Sequence, residues 1–185
     1  DTVYLGAWRR EDLLRLGGFD EALVRNQDDE LNLRIVRAGG TVWQSASIRS
    51  EYTPRASFLA LFRQFYQYGY WKVPVIRKHR LPASPRHLAP FLFVWLLMVL
   101  ALLSPWWSLA SGLLIAVLSV YAVTALCDAA VLARAPGRLR DTLGIAWAFA
   151  CMHFGYGLGF GRALLDVVVS PEAKSSDGKS GLAWV

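Results

Sequence analysis

Charged side chains are missing from forty consecutive residues, Leu88 to Cys127, in a chain of 185. A run that long excludes an ordinary solvent-facing domain surface. One helical crossing of a bilayer takes about 20 apolar residues at about 1.5 Å of rise each, so the run is long enough for two. Ser104-Pro105-Trp106-Trp107-Ser108 interrupts it near the middle, which predicts a helical hairpin over 88–103 and 109–132 joined by a tight turn. A third span without ionised side chains runs from Thr142 to Gly161, with its helix expected over 142–169. Cysteine is scarce as well. Cys127 and Cys151 both fall inside the expected spans without metal-ligand spacing, so neither a disulfide framework nor a thiolate metal centre is indicated, and both read as small packing residues. An initiating Met and a secretory leader are also lacking, and only about 80 residues precede the spans, which is short for an independent domain. The expectation is the C-terminal part of a longer protein. No internal repeat is visible, and the one low-complexity stretch is the tail, 170–185.

What is present points to a membrane. Hydrophobic residues make up 55% of the chain, the mean hydropathy is +0.32, and there are eight Trp. The net charge of +6 would suit nucleic acid, but the cations gather beside the spans, where lipid headgroups and insertion topology account for them. Arg77, Lys78, Arg80 and Arg86 precede the first span, Arg134, Arg138 and Arg140 precede the third, and the Pro105 turn carries none. The positive-inside rule then keeps the N-terminal part cytoplasmic and sends the tail to the far face. If the third helix continues to Val169, Arg162 and Asp166 become a mutually neutralising pair one turn apart. His153, in mid-span, reads as a neutral residue packed between helices, and Gly155, Gly157, Gly159 and Gly161 make two overlapping small-residue spacings suited to close packing.

The first 57 residues mix strand and helix signals. Thr2–Trp8 and Thr41–Ile48 are β-prone; Arg10–Leu16 suits a helix stopped by Gly17-Gly18. A second helix is clearer. Asn26 stands at its cap, Asp28, Asp29 and Glu30 in its first turn, Arg34 and Arg37 toward its end, and Gly39-Gly40 beyond it; Leu31, Ile35 and Ala38 are the expected buried stripe. Carboxylates at a helix start complement the macrodipole without any further role. From Phe58 to Lys72, seven of fifteen residues are aromatic, with Arg63 and Lys72 among them, as expected of an amphipathic helix in the headgroup layer.

Gly17-Gly18-Phe19-Asp20-Glu21, then Gln27-Asp28-Asp29-Glu30-Leu31-Asn32-Leu33-Arg34, then Gly39-Gly40, resembles in order and spacing the acceptor-side half of family-2 glycosyltransferases. With Arg63-Gln-Phe-Tyr-Gln-Tyr-Gly-Tyr-Trp-Lys72 and three spans to follow, the chain is similar to the succinoglycan-type exopolysaccharide glycosyltransferases of bacteria. That resemblance implies a Rossmann-like α/β domain of the GT-A type, here only in part, over 1–57. An amphipathic interfacial segment over 58–87, an all-α membrane domain of three helices over 88–169, and a flexible tail complete the expected organisation.

The resemblance also implies roles. Asp28 matches the family's general base, which removes the acceptor hydroxyl's proton as that oxygen attacks and inverts the anomeric carbon; Gln27 stands where the family more often has Glu. Asp29, Glu30 and Arg34 are weaker substrate-binding candidates, Glu30 being better suited to hold Arg34 and the helix in place. Gln67 and Trp71 keep the spacing of the Gln-x-x-Arg-Trp signature of processive synthases, with Tyr70 in place of Arg; Trp71 offers a face for a sugar and Gln67 hydrogen bonds to hydroxyls. The departure at Tyr70 favours one sugar per cycle over processive synthesis. The implied substrates are a nucleotide sugar and a polyprenyl-linked glycan at the cytoplasmic face of a bacterial inner membrane, with membrane lipids as the other partner and no nucleic acid. The Asp-x-Asp carboxylates that hold Mg²⁺ or Mn²⁺ in the family are not in these residues. On that ground the chain alone is expected to be inactive. A non-catalytic membrane anchor or accessory subunit of a polysaccharide synthesis or export complex is the alternative.

Overall fold

The computed structural model describes residues 6–51, 53, 55–80, 84–133 and 139–169. Among them are six α-helices: α1 Arg10–Arg15, α2 Gln27–Arg37, α3 Phe58–His79, α4 Ala89–Leu103, α5 Ser108–Leu132 and α6 Leu139–Val169, with one 3-10 turn at Pro85–His87 before α4. The segments carrying α4, α5 and α6 are long and apolar enough to cross a membrane. Their limits agree with the spans read from the missing charge. The turn between α4 and α5 satisfies its own carbonyls: Ser104 Oγ donates to Ala101 O at 2.8 Å and Ser111 Oγ to Ser104 O at 2.9 Å. Trp106 and Trp107 stay exposed there, suited to a membrane interface.

No β-strand occurs among the described residues, so the α/β structure expected over 1–57 is not seen in them. Thr2–Leu5 lie outside the described set, Gly6–Trp8 is irregular, and Thr41–Ile48 has no strand. A strand is held by a neighbour's N–H and C=O groups, and among the described residues none pairs with this segment. Ser45 and Ser47 instead bond each other locally, Oγ to Oγ at 2.7 Å, and Trp43 and Ile48 remain 79% and 72% exposed.

Packing is concentrated on α6. Its glycines divide between two neighbours. A Cβ at Gly155 would stand 2.7 Å from the carbonyl oxygen of Phe62 and one at Gly159 only 2.0 Å from that of Tyr66, both on α3; one at Gly157 would meet Pro90 O and Val94 on α4, each at 2.6 Å. Only glycine lets the three backbones approach this closely, which is how helices associate where lipid removes most of the hydrophobic drive. Gly69 of α3 returns the arrangement, lying against the backbone of Tyr156.

The contact sequence fixes the helix directions. Phe62, Tyr66 and Val73 of α3 meet Gly155, Gly159 and Ala163 in turn, so α3 runs in the sense of α6. Phe91 and Val94 of α4 meet Phe160 and Gly157, so α4 runs against it. The C-terminal half of α6 therefore lies beside the start of α4, where three simple successive crossings would place it beside the Pro105 turn. Glycine and aromatic packing, which a count of flanking cations does not register, sets that pairing. Arg162 and Asp166 form the anticipated pair at 3.1 Å, and His153 is packed between helices, its Nδ1 3.0 Å from Tyr121 Oη.

Candidate functional site

α1 ends where the sequence says it should. Gly17 and Gly18 take φ of 86° and 72°, and the Gly18 N–H donates to Leu13 O at 2.9 Å, a left-handed stop that side chains with a Cβ resist. The carbonyls turned outward by this stop are read by α2. Arg34 donates to Gly18 O at 2.6 Å and to Leu16 O, while its guanidinium also holds Glu30 at 2.7 Å. The two sequence motifs are thereby one structural unit, with Arg34 as the brace between them.

The three carboxylates of α2 have different fates. Glu30 is fully buried and takes Arg34, Lys78 at 2.9 Å and His79 Nε2 at 2.9 Å. Burial pushes its carboxyl up, but hydrogen bonds from Arg34, Lys78 and His79 outweigh that and hold it below the ordinary range. Asp29, 3% exposed, is bonded by Lys72 Nζ at 2.6 Å. Asp28 is half-buried and has no ion pair or side-chain hydrogen bond among the described residues. The most polar face of α2 is thus also its most buried. Leu31 is buried as expected, but Ile35 is half-covered and Ala38 exposed, so the anticipated apolar stripe gives way to a polar one facing α3.

That polar face meets α3 through side chains along its length. Arg25 Nε donates to Gln67 Oε1 at 3.1 Å, Asn26 Nδ2 to Tyr68 O at 3.1 Å, Lys72 to Asp29, and Arg37 to His79 O at 3.0 Å. Asn26 occupies the cap position with φ 62° but spends its amide on Tyr68, so its side chain does not cap α2. Lys78 adds a bond to Asp20 at 2.6 Å, which is the main reason the Asp20 carboxyl sits below its ordinary value. Desolvation opposes the Lys78 charge, yet Asp20 and Glu30 hold its ammonium above its usual range. The N-terminal turn of α2, with Asp28, is consequently fixed over the Gln67–Lys72 stretch of α3.

Among the substrate-binding candidates, Gln67 lies in this junction with its oxygen turned to Arg25, and Trp71 is half-buried with its ring edge-on to Tyr70 at 5.6 Å. Asp29, Glu30 and Arg34 are engaged with protein partners. Tyr70, where the signature has Arg, donates its hydroxyl to Asp166 Oδ2 at 3.0 Å and so ties α3 to α6. Lys72, Lys78 and His79 are structural members that the sequence reading left out of the site. Their signal was faint: one cation inside an aromatic run, and two others indistinguishable from topology-setting charges.

A divalent metal does not fit the described residues. No group of three His, Cys, Asp or Glu comes together among them, and two of the three carboxylates of α2 are taken by cations.

No family model matches the chain, and no solved structure matches it. Over 166 residues it is 31% identical to the succinoglycan biosynthesis protein ExoA of Rhizobium meliloti. The alignment covers 85% of this chain and 46% of ExoA, so the chain spans about half the length of the curated relative it matches. The helices docked on α6 and the motifs gathered on α2 and α3 thus occur in a chain that resembles the exopolysaccharide glycosyltransferases.

Proposed function

We propose that this chain is the acceptor-side and membrane portion of an inverting glycosyltransferase of exopolysaccharide biosynthesis, with Asp28 as general base. It serves a nucleotide-sugar donor and a polyprenyl-linked glycan acceptor at the cytoplasmic face of a bacterial inner membrane. The observation that carries the assignment is the separation of the three carboxylates: Asp29 and Glu30 are neutralised by cations, and Asp28 alone is left uncommitted. A base needs a free lone pair within reach of the proton it takes. Asp28 has one, at a helix start held over the aromatic stretch of α3.

In the reaction, Asp28 accepts the proton of the acceptor hydroxyl while that oxygen forms a bond to the anomeric carbon. The bond from that carbon to the nucleoside diphosphate breaks on the opposite side, and the configuration inverts. In this reading Gln67, bonded by Arg25, and the half-buried face of Trp71 hold the sugar. Divalent metal is expected for the full-length enzyme; the described residues offer no ligand set for it, and no step here is assigned to it. The similarity to a succinoglycan biosynthesis protein supports the reaction class. The uncovered Trp43 and Ile48 agree with a further layer of the catalytic domain packing there.

Asp28→Asn in the full-length protein is expected to leave expression and nucleotide-sugar binding intact and to lower turnover by about 10²-fold or more. Transfer at the wild-type rate in membranes containing equal protein removes Asp28 from the chemistry and favours a non-catalytic anchor.

A further inference from the structure

Asp28, Asp29 and Glu30 are consecutive, so their side chains leave α2 about 100° apart at 3.6 residues per turn. Which of them stays free depends on how α2 is rolled about its axis. Composition alone leaves that open. The pair between Asp29 and Lys72 settles it, at 2.6 Å with side chains 3% and 8% exposed. Burying two charges is costly, and a partner lost from such a pair leaves an uncompensated ion in a dry place. Rolling α2 by one residue either way offers Asp28 or Glu30 to Lys72 and strands Asp29.

Lys72 cannot follow such a roll. Its helix is wedged against α6, where a Cβ at Gly69 would stand 2.1 Å from Tyr156 O and Val73 packs with Phe160 and Ala163. The turn before α4 and the middle of α6 border the same place: His87 and Tyr156 lie within electrostatic reach of Asp29, with His87 Nδ1 and Tyr156 Oη buried. The pair therefore joins α2 to the part of α3 that is packed on α6.

Resting on the reading of Asp28 as the base, we infer that Lys72 is a positioning residue for the transfer reaction. Its buried bond to Asp29 fixes the roll of α2, turns Asp28 to the open side, and registers that carboxylate against the helices beside the membrane. A lipid-linked acceptor is held at a fixed depth by its tail, so a base acting on it needs a fixed depth too. Lys72 supplies that link without touching substrate.

The test uses the full-length protein in membranes carrying Lys72→Met, Asp29→Asn or both, with kcat, KM for the nucleotide sugar and thermal unfolding measured for each. Lys72→Met is expected to lower kcat by about ten-fold or more with KM nearly unchanged, as misplacement of a reacting group does. The double variant, with neither charge of the pair left, is expected to regain the unfolding temperature but not kcat. Wild-type kcat in Lys72→Met overturns the inference, as does recovery of kcat together with stability in the double variant. Failure of both to accumulate makes the pair a folding requirement and overturns it as well. Asp28→Asn run in parallel separates the two readings: an active Asp28→Asn removes the base itself, whereas an inactive Asp28→Asn beside an active Lys72→Met removes only the positioning.

Discussion

Two junctions meet on α3 and are held by opposite means. Toward α6 its closest approaches are backbone against backbone, at Gly69, Gly155 and Gly159, where no Cβ keeps the helices apart. Toward α2 they are long charged side chains, Arg25, Lys72, Lys78 and Arg37 reaching polar groups across the gap. The difference follows the surroundings. Lipid-side packing gains from dispersion and tight fit, whereas a junction at the membrane's edge draws on ion pairs that fix orientation and respond to pH. The apolar junction is set by shape and the polar one by charge, and a variant can be chosen to break either alone.

The largest effect is expected on the polar side. Glu30→Ala leaves Arg34, Lys78 and His79 without their shared acceptor, a loss in the range of about 3–5 kcal/mol for breaking a buried ionic cluster. Limited proteolysis between α1 and α3 should register it, with α4 to α6 still protected; unchanged protection of the α1–α2 region would show that the cluster does not hold the junction.

Next comes the apolar side. Gly159→Ala sets a methyl 2.0 Å from the Tyr66 carbonyl, and backbone cannot be displaced as a side chain can. Overpacking of this kind costs about 1–3 kcal/mol. Gly112→Ala, with nothing within 4 Å, is the control. It is expected to be neutral or stabilising by up to about 1 kcal/mol, the helix preference for Ala over Gly. Equal unfolding temperatures for the two variants in detergent would mean that α3 and α6 do not meet through these glycines.

Acid should separate the junctions without mutation. The carboxyls of Asp20 and Glu30 lie below their ordinary values, near 3.8 and 4.5, so their contribution is present above those values and is lost as pH falls through the lowered ones. Lys78 is raised above 10.5, so its share is complete below that value and fades only as pH rises through the raised one. Hydrogen exchange in α2 is expected to quicken below about pH 4, while exchange in α6 near Gly155–Gly159 stays slow. Simultaneous quickening would mean that the two junctions are not independent.

The smallest effect marks the limit of the electrostatic argument. Arg15 and Asp12 form a 2.8 Å pair, but their side chains are 77% and 51% exposed. Arg15→Ala is expected to change stability by less than about 0.5 kcal/mol, and a larger shift in the unfolding midpoint would show that exposed pairs contribute to this fold as buried ones do.

Much of this arrangement was legible in the residues. The absence of charge delimited α4 and α5, glycine pairs marked the ends of α1 and α2, and the i,i+4 spacings of Glu30 with Arg34 and Arg162 with Asp166 became real pairs. These features are local, and local chemistry is written in consecutive residues. The strand expected over Thr41–Ile48 did not appear, because a strand depends on a neighbour and β-branched composition does not supply one. The buried stripe of α2 was misplaced for a related reason: periodicity marks apolar residues as inward, and here Lys72 and Lys78 make carboxylates the inward face.

By itself, then, the sequence determined that the chain carries three membrane-length helices, an acidic helix start at Asp28–Glu30 and a ladder of small residues on α6. Only the tertiary structure decided which helices those glycines bring together, that α4 runs against α6, and that Asp28 is the carboxylate left without a cation. Spans and caps arise from hydrophobicity and backbone geometry over neighbouring residues. The partner of a glycine face, or the choice among three adjacent carboxylates, depends on groups about forty to ninety residues away brought to within a few ångströms by packing.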